Sequence, residues 1–310
     1  MLCALYSITL VTRVPGASDG IFRICDAYRA QAIVTSIGAA AMTIAIAVAV
    51  ALDASLDGCM IALIAGEVIS NLLVTMASFY VASRGGLGGW LTSSLAGIRT
   101  TFPGITRFLI STNAQLTVKK TQTELDMVVV GFMLGTAAAG LFRVVKQLGT
   151  IPGRVFMPFE QVLFTELARA ASAGDYAGFA RLLARSAGIA TVGSLAIWAI
   201  AAAAAGPIIR LVAGNAFIAA AAPFRWYLLA MVLNVANAPV QRAMVALGRP
   251  GTLFWFDLGA LAVLVITMLA FVSVWGVVGV ALAMLLHKVM QTGWSTWLVA
   301  RIIRQRQSTV

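Results

Sequence analysis

Apolar runs long enough to cross a lipid bilayer recur along almost the whole chain. They cover residues 30–52, 60–82, 106–136, 141–164, 187–205, 223–246, 252–271 and 276–298. A spanning helix needs about 20 mostly apolar residues, and each run approaches or exceeds that length. The chain is 61% hydrophobic and 11% charged, whereas a soluble domain carries roughly 25% charged residues. We therefore predict an all-α, polytopic integral membrane protein with eight spans and a stub at 1–14.

Basic residues exceed acidic ones, 22 to 11, and they concentrate in alternate connections between the apolar runs. The connection with Asp53 and Asp57 contains no basic residue. The arginine-rich connections contain Arg13, Arg23 and Arg29; Arg84 and Arg99; Arg169, Arg181 and Arg185; Arg249; and Arg301, Arg304 and Arg306. The positive-inside rule places these connections and the C-terminus in the cytoplasm. Because the basic residues do not interleave with aromatic residues on one face, the pattern does not indicate a nucleic-acid partner.

A polar stretch, VKKTQTELD at 118–126, interrupts the third apolar run. A loop there would leave a preceding segment too short to span, and it would reverse the side of every later arginine-rich connection. We therefore predict one long helix over 106–136 with charges inside the membrane. Its four charged residues would cost about 3 kcal/mol each at mid-bilayer, so this face cannot contact lipid. They are Lys119, Lys120, Glu124 and Asp126.

The following helix carries a cationic stripe, because positions 143, 147, 150 and 154 share one helical face. With Arg143, Lys146 and Arg154, such a stripe facing a cavity would attract phosphates or acidic sugars. We predict a substrate pathway formed by Lys119, Lys120, Asp126, Arg143, Lys146 and Arg154. The alternative is that Arg143 and Lys146 snorkel to the interface and that Arg154 is structural. Lys120 and Glu124 have the i,i+4 spacing of an ion pair.

Two lesser polar clusters lie in other spans. Glu67, one turn from Asn71, and Asp126 are candidates for ion coupling, since a carboxylate in a membrane is often functional. A packing contact explains Glu67 equally well. Asp257 and Lys288, beside the lone His287, form a candidate polar pair between the last two spans.

No catalytic or metal-binding motif is present in the sequence. The three cysteines form no CxxC, and there is no HExxH, Walker A loop, DxD pair or nucleophile elbow. We therefore predict no catalytic residue, no metal, no cofactor and no enzymatic activity.

Two connections have the pattern of amphipathic helices on the inner membrane surface. In residues 175–186, Asp175 can cap a helix that places Phe179, Leu182 and Leu183 opposite Arg181 and Arg185. A weaker pattern includes Trp90, Leu91, Leu95 and Ile98.

The segment from Asp126 to Gly188, DMVVVGFMLGTAAAGLFRVVKQLGTIPGRVFMPFEQVLFTELARAASAGDYAGFARLLARSAG, resembles the Wzx-type polysaccharide flippases of the MATE-like MOP superfamily. It shares their intramembrane Asp, glycine-containing turn, long helix and "GD" helix start. Later pieces that agree are AGNAFIAAAAPF, ALGRP and WGVVGVALA. The resemblance covers about 23–304 and departs at Thr165, where many members have Pro.

The resemblance implies two six-helix lobes around a central cavity, with the second lobe complete here and the first partial. It assigns 1–82 to the partial first lobe, 83–104 to a cytoplasmic amphipathic linker, 105–300 to the second lobe and 301–310 to a basic cytoplasmic tail. About three helices of the first lobe are absent on this plan, so the chain is expected to be N-terminally truncated.

The function implied is the flipping of polyprenyl-pyrophosphate-linked oligosaccharide across the bacterial inner membrane for surface polysaccharide synthesis. The implied partners are this lipid-linked substrate, membrane lipid and polysaccharide polymerase or assembly proteins. Three alternatives remain: a MATE-like drug or cation antiporter, a peptidoglycan-precursor flippase, and a nonfunctional fragment or structural membrane partner.

Overall fold

The computed structural model describes residues 9, 15–86, 97–247 and 250–307. The chain divides into two compact units, Met1–Ile98 and Arg99–Val310. The division falls within 83–104, the segment predicted as a linker. All regular elements in the described ranges are helices.

Among the described residues of the first unit are the helices α1 (Pro15–Ile24), α2 (Tyr28–Ala51) and α3 (Leu56–Arg84). Ser55 caps α3, because its hydroxyl accepts a hydrogen bond from the Gly58 N–H at 3.3 Å. α2 and α3 pack as an antiparallel pair through small residues: a Cβ on Gly38 would overlap Ser70, and one on Gly66 would crowd Met42. Glycines at such positions let two membrane helices approach closely.

The second unit begins at Arg99, within a short helix, α4 (Ile98–Thr101). Its elements are α5 (Ile105–Gly149), α6 (Ile151–Ser172), α7 (Tyr176–Ala203), α8 (Ala205–Ala213), a 3₁₀ helix (Asn215–Ala220), α9 (Ala221–Ala246) and α10 (Pro250–Gln307). Two buried clusters hold them together. One joins α5, α8, α9 and α10 around Phe142 and Met268, and the other joins α6, α7, α9 and α10 around Leu167 and Phe179.

Glycine folds α5 and α10 back on themselves. Gly135 (φ 84°, ψ 179°) and Gly276 (φ 56°, ψ −132°) interrupt the helical conformation, and their positive φ values favour glycine because it has no Cβ. Each side of the break is an arm: 105–134 and 136–149 in α5, 250–275 and 277–307 in α10. The arms of α10 run antiparallel, since Phe256 stacks on Trp294 with ring centroids 5.8 Å apart.

Six stretches of the described residues are long and apolar enough to cross a membrane. They are Tyr28–Ala51, Leu56–Arg84, Leu116–Met157, Tyr176–Ala203, Asn215–Ala246 and Phe254–Gln305. Leu116–Met157 contains the break at Gly135, and Phe254–Gln305 contains the break at Gly276. The two hairpins therefore contain three of the eight spans predicted from the sequence and the beginning of a fourth, since the run predicted at 141–164 continues from the second arm of α5 into α6. The polar stretch at 118–126 lies within a continuous helical arm. The alternative interpretation of this stretch as a loop is therefore wrong.

The amphipathic segment 175–186 is the beginning of α7 rather than a separate element. Asp175 caps it, with Oδ1 accepting from the Gly178 N–H at 2.7 Å. Phe179 and Leu183 are buried and Arg185 is exposed. The helix continues to Ala203 because no glycine turn or proline follows Ser186 to end it. Trp90, Leu91 and Leu95, like most of the stub at 1–14, lie outside the described residues.

Large apolar side chains cover the surface of both units. Leu56 is 78% exposed in the first unit, and Phe132 is 90% and Leu211 88% exposed in the second. A soluble protein rarely exposes contiguous apolar surface of this kind, whereas lipid solvates it. The chain is a multi-pass membrane protein.

Candidate functional site

A polar cavity of about 540 Å³ lies within the second unit. Its walls are formed by α6, α9, the first arm of α5 and the second arm of α10. Its polar and charged lining residues are Lys119, Gln122, Thr123, Thr150, Arg154, Glu160, Tyr227, Asn234, Gln241, Arg242, His287, Lys288 and Gln291. Four of these are cations and only Glu160 is a carboxylate, so the described lining is strongly basic. We call this cavity the cationic cavity.

Three of the four cations have no carboxylate within ion-pair distance in the described part of the chain. Lys119 Nζ donates to Gln241 Oε1 at 3.4 Å, and Lys288 Nζ donates to Gln291 Oε1 at 3.0 Å. The Arg154 guanidinium makes no hydrogen bond or ion pair with any described residue. Arg242 is the exception. These three cations are therefore available to an anionic ligand.

The ion pair of Arg242 links two helices at this cavity. Arg242 Nη2 on α9 lies 3.0 Å from Glu160 Oε2 on α6. Because Arg242 neutralises Glu160, the described lining has no further carboxylate that could pair with Lys119, Arg154 or Lys288.

Glutamines hold the wall of the cavity on the α10 side. Gln122 Nε2 donates to the backbone carbonyl of Asp257 at 2.6 Å, and Gln291 Nε2 donates to Asp257 Oδ1 at 3.3 Å. Gln291 also accepts from Lys288. Asp257 and Lys288, the pair suggested by the sequence, are thus connected through Gln291, with Asp257 buried and Lys288 facing the cavity.

A buried ion cluster lies between the arms of α5. Lys146 Nζ on the second arm lies 2.8 Å from Asp126 Oδ1 and 3.0 Å from Glu124 Oε2 on the first, and it also donates to the Thr123 carbonyl. The Met127 N–H donates to Asp126 Oδ1 at 2.7 Å. Asp126 is completely buried, so the cluster satisfies its charges inside the protein, as burial in a membrane requires.

Tyr227 connects this ion cluster to the cavity. It lines the cavity, and its hydroxyl donates to Asp126 Oδ2 at 3.3 Å. Its ring meets Phe142 edge-on, with centroids 5.5 Å apart. A Cβ on Gly149 would lie 2.5 Å from Tyr227 Cδ1, so glycine at 149 makes room for the ring.

The predicted site residues of the second unit fall into three groups. Lys119, Arg154 and Lys288 line the cavity. Asp126, Lys146 and Asp257 are buried behind it. Lys120, paired with Glu124 at 3.1 Å as its spacing predicts, and Arg143 are exposed outside the lining. Glu67 lies half-buried on α3 of the first unit. Contact of any of them with a substrate stays a prediction.

The charge pattern of α5 and α6 did not predict several of the lining residues. They are Gln122, Glu160, Tyr227, Asn234, Gln241, Arg242 and Gln291. α9 carried a usable signal, since Asn234, Asn237 and Gln241 recur at three- and four-residue intervals in an apolar helix. Uncharged polar residues at helical spacing inside a span indicate a face turned away from lipid.

The helical membrane fold and its basic cavity define a class of multi-pass transporters, and comparison with known proteins identifies the family. The family model described as "Polysaccharide biosynthesis protein" matches residues 19–222, more than half of the chain. The chain belongs to this family. A comparison with curated proteins finds no match.

Solved structures of MATE transporters share the fold. The chain is similar to a mutant of the Vibrio cholerae MATE transporter VcmN, with a TM-score of 0.60 and 14% identity over 97% of this chain and 69% of that one. The same transporter in its bent form gives a TM-score of 0.55 and 15% identity, over 89% and 62% of the two chains. The predicted membership of the MATE-like flippase superfamily is confirmed.

Proposed function

We propose that the chain carries a polyprenyl-pyrophosphate-linked oligosaccharide across the bacterial inner membrane for surface polysaccharide synthesis. The observation that carries the proposal is the set of three cations, Lys119, Arg154 and Lys288, that line one cavity without a carboxylate partner. A planar guanidinium binds phosphate oxygens in a bidentate manner and an ammonium attracts them as a point charge. The family's description as a polysaccharide biosynthesis protein supports the same substrate class.

The amides of the lining suit the sugar part of such a substrate. Gln122, Asn234, Gln241 and Gln291 offer donors and acceptors that hydroxyl groups can match. An organic cation would instead need an acidic cavity, and here Arg242 neutralises Glu160. The cavity chemistry therefore favours an anionic glycolipid over the cargo of a cation antiporter.

The buried ion cluster suits a coupling role within this proposal. Asp126 forms an ion pair with Lys146 and accepts a hydrogen bond from the hydroxyl of Tyr227, which lines the cavity. Uptake of a proton or cation at Asp126 would therefore change the hydrogen bonding of a cavity residue. Glu67 is a second coupling candidate, in the first unit. The C-terminus lies in the cytoplasm on this proposal, because the last arginines follow the final span.

The test compares two arginines that differ in their position. Arg154→Gln removes a cavity cation from α6, whereas Arg181→Gln removes an exposed cation from α7. In proteoliposomes that contain a fluorescent polyprenyl-pyrophosphate oligosaccharide, Arg154→Gln should slow flipping about tenfold, the loss of one charged hydrogen bond. Arg181→Gln should flip at the wild-type rate. Equal rates in all three proteins, or no flipping by the wild type, would contradict the proposal.

A further inference from the structure

A second cavity, also of about 540 Å³, lies between the two arms of α10. We call it the aromatic groove. It is lined by Trp255, Phe256, Val263, Met290 and Trp294, with Gly259, Ala260 and His287. His287 is the one residue of this lining with an ionisable group. Its volume falls in the range of roughly 300–1,000 Å³ that small-molecule sites occupy.

The groove opens at the apolar surface of the second unit. Trp255 is 72% exposed and Trp294 is 50% exposed, while their rings pack against Phe254 and Phe256. Aromatic rings that are held by neighbouring rings form rigid walls, which a hydrocarbon chain can contact without costly ordering of side chains. The groove therefore faces lipid as a preformed apolar site.

The aromatic groove and the cationic cavity share one lining residue. Among the described residues, His287 alone lines both. It is 2% exposed, lies against the backbone of Ala260, and leaves Nε2 without a hydrogen-bond partner among the described residues. Lys288, the next residue along the arm, lines only the cavity. The helix thus presents an ammonium to one compartment and an imidazole to the wall between the two.

We propose that the aromatic groove binds the isoprenoid chain of the lipid-linked substrate while Lys288 and its neighbours bind the pyrophosphate. This inference rests on the proposed function. A lipid-linked oligosaccharide combines a hydrocarbon chain with an anionic head, and these two chemistries match two compartments that meet at His287. An acyl chain of bulk phospholipid fits the groove as a hydrocarbon, but its head brings less negative charge to the cations beyond His287. The occupant is therefore the isoprenoid chain rather than a bulk lipid.

Gly259 allows the groove to be filled without disturbing the fold. It lines the groove, and a Cβ placed on it meets no atom within 4 Å. Gly259→Leu should occupy the space that the chain would use. Gly188 on α7 is the matched control, because a Cβ there also meets no atom within 4 Å and it lines neither cavity.

The experiment uses the full chain in phosphatidylethanolamine–phosphatidylglycerol vesicles with a polyprenyl pyrophosphate that carries a photoactivatable diazirine in its chain. Crosslinks should map to the peptide that contains Met290 and Trp294, and Gly259→Leu should reduce them about tenfold. That loss corresponds to about two methylene groups leaving an apolar environment. Gly188→Leu should leave the crosslinks unchanged. Equal labelling by a diazirine phosphatidylethanolamine, or unchanged labelling of Gly259→Leu, would overturn the inference.

A short-chain analogue separates this inference from the proposed function. A two-isoprene pyrophosphate should still protect Lys119 and Lys288 from an amine-reactive reagent, with equal protection in wild type and Gly259→Leu. If the short analogue protects but the long probe does not label the groove, the chain site is refuted and the proposed function stands. If neither compound interacts with the protein, the proposed function itself fails.

Discussion

The lysine of the buried ion cluster and the lysines of the cationic cavity differ in the groups that they contact. Lys146 lies within 3.0 Å of two carboxylates, whereas Lys119 and Lys288 contact only amide oxygens. Both regions include residues from the first arm of α5. A buried charge can be retained inside the protein when it has an ion-pair partner, and a charge without such a partner beside a cavity is available for a ligand. The same residue type therefore has two roles within one unit.

Lys146→Met should break the first half of this comparison and cause the largest effect. It would leave Asp126 buried without its cationic partner, and removing one partner of a buried pair costs about 3–5 kcal/mol. We expect a loss of this size in the free energy of unfolding, measured by titrating dodecyl-maltoside-solubilised protein with sodium dodecyl sulfate.

Asp126→Asn in the Lys146→Met background is the control for that change. Because Glu124 keeps Lys120 at 3.1 Å, the double variant leaves no fully buried charge unpaired. It should recover about 1–3 kcal/mol of the loss, as expected of residues in one network. Strictly additive destabilisation would show that the pair contributes nothing.

Lys119→Gln tests the other half of the comparison. Its ammonium contacts only the Gln241 side chain, so the substitution should leave stability within about 0.5 kcal/mol. Binding of polyprenyl pyrophosphate should weaken about tenfold, measured by competition with a fluorescent analogue at low salt. Lys120→Gln is the matched control one residue away, since Lys120 lies outside the lining. Equal weakening by both variants would place the anion site elsewhere.

The sequence predicted the spans and the charged helix better than it predicted the partners of each charge. Runs of apolar residues set the spans, and Gly135 lies at the end of the run 106–136, beside the connection to the run 141–164. Glu124 and Lys146 lie equally far from Gly135, as do Gly131 and Ala139, so a hairpin centred on Gly135 would have predicted their meeting. The prediction of one cationic stripe over 143–154 did not take into account this pairing of residues on either side of Gly135.

The cavity itself could not be predicted from the sequence. Its formation depends on which faces of α6, α9 and α10 meet, and the packing of separate helices determines that. Glu160 and Arg242 are 82 residues apart, and no local periodicity relates them. The aromatic groove was missed for a similar reason, because Trp255 and Trp294 each have the pattern of an interface anchor until the hairpin brings them together.

Tyr227→Phe sharpens the comparison, because Tyr227 belongs to both regions. The ring would keep its edge-on contact with Phe142, and only the hydrogen bond to Asp126 would be lost. We expect a destabilisation of about 1 kcal/mol, together with a flipping rate that responds less to an imposed ion gradient. Binding of polyprenyl pyrophosphate should be unchanged. A variant that keeps the wild-type gradient response would show that the ion cluster acts on stability alone.

Lys120→Met should have the smallest effect, although Lys120 binds the same carboxylate as Lys146. Its side chain is 76% exposed and its contact with Glu124 is an i,i+4 pair within one arm. Such pairs contribute about 0.3–0.5 kcal/mol and are screened by salt. We therefore expect a destabilisation of that size that disappears in high salt, measured in the same detergent titration. The contrast with Lys146→Met would assign the difference to burial, because the two ion pairs have nearly the same length, 3.1 and 3.0 Å.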